Sequence, residues 1–476
     1  MNERNITGQE KAQALEDLKP SADWTIVTFL TDFRMQVQGL HNKLALQWHL
    51  TSQQHLAANV CTLLAMFASL DAPVETLMNE WRERTGKTWP HMITASQVFN
   101  PHMGKGQNRP KANKLTLNNE KSFWLLEYLK AIGVWLAAAP RTVNNANLRK
   151  TYVLSPRKIA LRHHKDIFRR FLNTLWNDTA IKMDIAAIKM DIAASLLYTQ
   201  TLLDYAVGNN NLGLFQARQI SKLVSGMSVA TYQLLSANAY TMMSLAFLGL
   251  PNWMPRIQTR EDVSVLQSIL QEHYERIRAI DETYSEGYNL LRRYRDFVSS
   301  NDFETFYDFL ADYSQFLMSA LDRGHFYIRP FTETNLRRLI QMSQPKLSSI
   351  LQSQGFQNIA EAIRRSTVIP QYIGRQQSQY DIRYGLGQEL KRKAQYPDEF
   401  IQALADFVHR YNEENARVHE RTKGKGFRRK SITTQDLEEV VALVDEFGSR
   451  TIANLLVAFG YARDPKGSQD DSQTES

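Results

Sequence analysis

Tyr396-Pro397-Asp398-Glu399-Phe400-Ile401-Gln402-Ala403-Leu404-Ala405-Asp406-Phe407-Val408-His409-Arg410-Tyr411 decides the fold class. Proline suits the first turn of a helix, and the two acids that follow lie near its positive end. Phe400, Leu404, Phe407, Val408 and Tyr411 then recur at three- and four-residue spacing, which makes one apolar face. Downstream, Thr433 to Asp436 opens a second helix with a capping pattern, carrying Leu437, Val440, Val441, Val444 and Phe447 up to Gly448. A short last helix runs from Ser449 to Phe459. Upstream, Leu266 to Ile280 and Phe306 to Leu317 repeat the same amphipathic spacing. The chain is predicted to be mainly α.

The remaining stretches complete this reading. Thr51 to Leu70 carries Leu56, Ala57, Val60, Leu63, Leu64 and Phe67 as a core-facing stripe, with Cys61 as a buried small hydrophobe among them. A helix through Phe123, Leu126, Leu129, Lys130 and Val134 is expected to stop at Pro140, before a polar loop from Arg141 to Lys150. Thr151-Tyr152-Val153-Leu154 is the best strand candidate, ended by Pro156, and His163 to Leu175 returns to helix. Val229 to Pro251 is the most apolar stretch. Gln233, Ser236, Asn238 and Ser244 interrupt it, so it is expected to be a buried helix pair rather than a membrane span. Ala180 to Ala186 is repeated at once as Ala187 to Ala193. Seven residues are almost two helical turns, so the duplication lengthens a helix with a shift of only about 20° in its face.

All eight tryptophans lie in the first 253 residues, which places a change of core vocabulary after them. The expected organisation is a helical N-terminal domain with a small strand element (residues 1–165), middle helices (166–341), a C-terminal helical bundle (342–465) and a disordered tail (466–476).

Charge is unevenly spread. The net charge is +8, yet residues 101–170 alone carry +12 and leave the other 406 at −4. A near-neutral protein with one strongly basic segment reads as a polyanion binder, although a solvated basic surface has the same composition. Within that segment, the Gly104–Lys114 loop joins Lys105, Arg109 and Lys111 to the amides Gln107 and Asn108. Cations neutralise phosphates, and amides pair with base edges. Asn145, Arg149, Lys150 and Arg157 follow and could track a nucleic-acid backbone. A third basic run, Arg417 to Lys430, holds Arg421, Lys423, Lys425, Arg428 and Arg429 with Gly424 and Gly426, and reads as a mobile basic loop or a solubilising linker. Tyr372, Tyr380 and Tyr384 beside Arg375 and Arg383 have the composition of a base-stacking surface, or equally of a subunit interface.

Catalytic signatures are missing. The sequence has no phosphate-binding loop, no nucleophile elbow and no H-E-x-x-H pattern. His163, His164 and Asp166 sit among Arg162, Lys165, Arg169 and Arg170, cations that oppose a metal ion, so a metal nuclease is the weakest reading. A single cysteine excludes a disulfide framework and multi-cysteine metal sites. Met1 to Pro20 is polar and bears both charge signs, so no signal peptide is expected there. The expectation is a soluble, cytoplasmic, non-enzymatic chain without cofactor, metal or membrane partner.

Gln107-Asn108-Arg109-Pro110-Lys111-Ala112, then Asn119 to Glu127, then Arg149 to Leu154 resemble large subunits of type I CRISPR surveillance complexes (Cascade), of the compact I-B-like kind that some transposons encode. Asp381 to Gly387 and Ala453 to Ala462 resemble the C-terminal helical part of the same subunits, and I-D large subunits are similar there. The resemblance covers roughly residues 96–170 and 371–463. It implies an N-terminal part that reads the short duplex motif beside the target, with a small-subunit-like bundle that supports a strand of the R-loop. Guide RNA reads the sequence by pairing. On this reading Gln107 to Lys111 is the first candidate for the motif reader, and Arg417 to Lys430 for a strand guide. Implied partners are target double-stranded DNA, CRISPR RNA, the other Cascade backbone and small subunits and, in transposon-encoded members, a transposition-targeting protein. Antiviral defence and RNA-guided transposition are the two settings implied. A helical scaffold docking on an acidic protein is the rival from another class. In several such systems the bundle is also made from an internal start, for which Met342 is the candidate here.

Overall fold

The computed structural model describes residues 35–69, 71–87, 123–143, 148–177, 187–208, 220–236, 239–255, 257–300, 302–373, 378–423 and 429–463. The fold is mainly α with one small sheet. Contacts gather the chain into two compact units, residues 1–155 with 227–248 and residues 156–226 with 249–476. Neither expected break, after residue 165 or after 341, coincides with this division.

The first unit holds α1 (Met35–Ala68), α2 (Val74–Thr85), α3 (Trp124–Ala137), β1 (Ala138–Val143), nearly all of β2 (Leu148–Pro156), and most of β3 (Val224–Ser236) and β4 (Ala239–Gly249). Helix α1 is kinked at His55, which has φ −132° and ψ 30°. Asn59 bridges the kink: its Nδ2 donates to Thr51 Oγ1 at 2.9 Å, and its Oδ1 accepts from Trp81 Nε1 on α2 at 2.9 Å. This polar knot decides which face of α1 turns inward. Thr51, Asn59, Thr62 and Met66 are buried, while Leu56, Ala57, Val60, Leu64 and Phe67 face solvent and Leu63 is half-buried. The stripe expected in the core is therefore outside, and Cys61 is exposed with it. The side that turns inward is the one that gives the buried Trp81 indole N–H its acceptor.

The sheet order is β1-β2-β3-β4. β1 pairs antiparallel with β2, with Ala138 opposite Val153 and Val143 opposite Leu148. Pro140 does not end a helix: α3 stops at Ala137 and Pro140 sits inside β1, opposite Thr151. An edge strand tolerates the missing N–H. The expected polar loop is mostly strand, of which residues 144–147 lie outside the described set. The expected helix pair at 229–251 is instead the neighbouring strands β3 and β4. Met243, Leu245 and Phe247 are exposed on β4.

The second unit begins with α4 (Leu161–Asn177), α5 (Ala187–Gly208) and the single turn α6 (Ile220–Leu223). Helix α5 opens on the second copy of the duplicated heptad and is buried almost all round. Its N-terminus is held by Glu282, whose carboxylate accepts from the Ile188 and Lys189 N–H groups. Asp191 pairs with Arg295 at 3.2 Å. The first copy lies outside the described residues.

Next come α7 (Arg260–Ala279), α8 (Ser285–Ser299), α9 (Phe303–Asp322) and α10 (Glu333–Ser343). Between them His273 is wholly buried against Trp253, Phe306 and Phe331. Its Nδ1 shares a 2.6 Å hydrogen bond with the Tyr294 hydroxyl. Burial, aided by neighbouring Arg276, pushes the imidazole down to about 3. The ring is neutral in the fold, whereas in the unfolded chain it charges below its ordinary value. Its stabilisation is thus present above about pH 6.5 and is lost as pH falls toward 3. About 2 kcal/mol should go between pH 6.5 and pH 5. Urea unfolding across that interval checks this, and a slope identical in His273→Gln would refute it.

The C-terminal helices are α11 (Ser348–Gln352), α12 (Gln354–Ser366), α13 (Val368–Ile373), α14 (Leu386–Lys393), α15 (Pro397–Arg421), α16 (Thr434–Phe447) and α17 (Ser449–Gly460). The capping pattern at Thr433 is a capping box with Asp436. α12 crosses α16 closely at Gly355, where a Cβ would lie 2.4 Å from the Asp436 carbonyl oxygen. No helix among the described residues is long and apolar enough to cross a membrane.

Candidate nucleic-acid interface

Of the residues read as nucleic-acid ligands, Lys105, Gln107, Asn108, Arg109, Lys111, Asn145, Arg375, Lys425 and Arg428 lie outside the described residues. The others divide into groups that face water and groups the fold has used.

Arg149 and Lys150 are corrections to the expected backbone track. Both are buried inside β2, 7% and 4% exposed, with neighbours of their own. Arg429 and Arg383 are corrections as well. The Arg429 guanidinium lies 3.5 Å from the centroid of the Tyr380 ring and near Tyr411, and its side chain is 4% exposed. Burial holds it down to about 10. Arg383 pairs with Glu414 at 3.0 Å, and Glu414 also faces Arg429 at 4.0 Å. The Asp381 N–H donates to the same carboxylate at 2.6 Å. This knot ties the chain after residue 378 to α15 and engages both cations within the protein, with Arg429 over one face of the Tyr380 ring.

The basic run Arg417–Lys430 is only partly a loop. α15 continues to Arg421, Arg417 is paired along it with Glu413, and Arg421 donates to the Gln379 carbonyl at 3.0 Å. Lys423 is exposed, with a left-handed φ of 50°.

A continuous exposed basic face does exist, on α4. Ile167, Phe168, Phe171, Leu172 and Leu175 bury one side of this helix, which packs on α5. Lys158, Arg162, Lys165 and Arg169 fall on the other at intervals of three and four, with Arg157 and Arg170 beside them. Arg157, Lys158, Arg162, Lys165 and Arg170 are exposed, and Asp166 is the one acid from 157 to 177. The run enters α4 in a fixed pose, because the Arg157 and Lys158 N–H groups both donate to the Leu223 carbonyl. His163 Nδ1 bonds the Tyr205 hydroxyl of α5 at 2.7 Å, and the Arg170 guanidinium stands over the same ring at 5.4 Å. His164 is buried and stacked on Phe168. The two histidines and Asp166 therefore do not converge. Among the described residues no three His, Cys, Asp or Glu side chains form a metal site.

Sequence reasoning passed over Arg323-Gly324-His325-Phe326-Tyr327-Ile328-Arg329, the connection from α9 to α10. Two arginines bracketing adjacent aromatics, after a glycine and without helical period, were the available signal. Phe326 and Tyr327 are exposed, and the Phe326 ring lies 6.2 Å from that of Tyr372.

No family model matches the chain, and comparison with curated proteins and with solved structures finds no match.

Proposed function

We propose that the chain is a large subunit of an RNA-guided CRISPR Cascade that recognises the motif beside the target in duplex DNA and supports R-loop formation without catalysis. The observation that carries the nucleic-acid part is the exposed cationic face of α4, built on a helix whose other side is buried. The CRISPR part rests on the sequence resemblance at residues 96–170 and 371–463. Fixed cations on a rigid helix attract phosphates without reading sequence, the contribution a large subunit adds to guide pairing. Target duplex, CRISPR RNA and the other Cascade subunits are the partners of this reading, with a transposition-targeting protein in the transposon setting. The cytoplasm is its place.

The test is target-duplex binding by the reconstituted complex, with and without this chain, across randomised flanks and two salt concentrations. Replacing Arg162, Lys165 and Arg170 together by glutamate should weaken binding at least about tenfold and flatten the salt dependence by two to three units of log–log slope. Asn108→Ala with Arg109→Ala should remove flank preference while leaving the salt slope nearly intact. Affinity that ignores both the chain and the flank would sink the proposal and favour a scaffold on an acidic protein.

A further inference from the structure

The α9–α10 connection is held from beneath while its rings face water. The Gly324 N–H donates to the Leu321 carbonyl, the His325 N–H to Ala320 and the Ile328 N–H to His325. Gly324 adopts φ +80°, a conformation that favours glycine. Ile328 and Phe331 are buried, and the Tyr313 hydroxyl donates to the Arg329 carbonyl at 2.7 Å. With so many anchors, Phe326 and Tyr327 still remain 53% and 62% exposed. His325 stacks on Tyr327 with centroids 5.5 Å apart. Tyr372, at the end of α13, stands beside Phe326 and is 40% exposed. Tyr384 joins the group through Gln371, whose Nε2 donates to its hydroxyl at 2.7 Å, and that hydroxyl donates to Asp322.

The charges around these rings are mostly of one sign. Arg463, Arg276 and Arg329 act on the Tyr372 hydroxyl, and Arg323 and Arg329 flank the loop. Asp322, engaged by Tyr384, is an acid at this edge. Exposed rings held in place beside guanidinium groups match unpaired bases on a phosphate backbone: each base offers a π-face, and each phosphate a negative charge. Paired bases in a duplex hide those faces.

We propose that Phe326, Tyr327, Tyr372 and Tyr384, flanked by Arg323 and Arg329, form a stacking platform for single-stranded nucleic acid, separate from the duplex-facing side of α4. The platform rests on the proposed function only for the class of partner. It adds a second surface with a different preference.

The experiment measures binding of the full chain to a fluorescein-labelled oligothymidine strand and to a random-sequence duplex of the same length. Phe326→Ala with Tyr327→Ala should weaken strand binding about tenfold or more and leave duplex binding within twofold. The α4 triple glutamate variant should do the reverse. Both changes lie at exposed positions, and an unchanged melting temperature verifies that the variants fold. Strand binding unchanged in the aromatic variant overturns the platform, and so does an equal loss on strand and duplex. Duplex binding without strand binding overturns it while leaving the α4 proposal standing. Strand binding that survives in the α4 variant but fails in the aromatic one supports the platform even if the duplex reading falls. Ring-dependent self-association without strand binding overturns it in favour of a dimer contact.

Discussion

Replacing Glu414 by alanine should destabilise the second unit by about 2–4 kcal/mol, because the buried Arg429 guanidinium and the half-buried Arg383 lose one carboxylate. Glu414 is 7% exposed and accepts from Arg383 and the Asp381 N–H, while Arg429 stands 4.0 Å away. Among the described residues the Tyr380 and Tyr411 ring faces give Arg429 further support for its charge. Without the carboxylate, Arg429 faces a region that water barely reaches, which costs more than the ion pair contributes when intact. Glu414→Gln keeps the shape and an acceptor and should lose less. Urea unfolding followed by circular dichroism measures both variants. A loss below about 1 kcal/mol in the alanine variant would show that Arg383 and Arg429 find water and that the knot is not what ties residues 378–383 to α15.

A chain begun at Met342 should fail to unfold cooperatively by itself. Met342 lies in the last turn of α10, and α9 packs directly on α17 and α14. Such a fragment keeps α17, which is buried almost all round, and loses one of the helices that cover it. It also loses Glu333, which pairs with the buried Arg364 at 2.6 Å, and Phe331, whose carbonyl accepts from the Arg463 N–H. Exposing four to six core side chains at roughly 1.5–3 kcal/mol each consumes the about 5–15 kcal/mol that a domain has. Weak near-ultraviolet dichroism and a broad melt are expected of the purified fragment. A sharp transition would show that the bundle stands without α9, and would restore Met342 as a usable start.

Many helices of the second unit could be read from the sequence because they have one wet side. Leu266 to Ile280, Phe306 to Leu317, Phe400 to Tyr411 and Leu437 to Phe447 all show that asymmetry, and all are helices. The strands β3 and β4 hid in an uncharged apolar run, where periodicity does not separate a strand from a buried helix. Helix α1 misled for the opposite reason. Its apolar stripe is regular, but Asn59 and Thr51 answer a buried indole on α2, and no local pattern reports that need. The cations show the same limit. Arg162 and Lys165 stand opposite a buried helix face, whereas Arg383 and Arg429 look identical in composition yet are taken up by Glu414 and Tyr380 from elsewhere in the chain. Loop 323–329 was overlooked because its rings matter by exposure, a property that sequence alone does not carry.

The sheet is sequential in space but interrupted along the chain: β2 ends at Pro156 and β3 begins at Val224, with α4, α5 and α6 of the other unit made in between. During synthesis, β2 must therefore wait for its second partner while about 70 residues emerge, roughly 4–14 s at ribosomal speed. Through that interval its open edge, with Tyr152 and Leu154 not yet enclosed, is a template for pairing with another nascent chain. Arg149 and Lys150, which end up inside, are then still in water. Charges beside an unfinished strand edge discourage such pairing, so Arg149 and Lys150 are the residues of β2 suited to oppose it until β3 arrives.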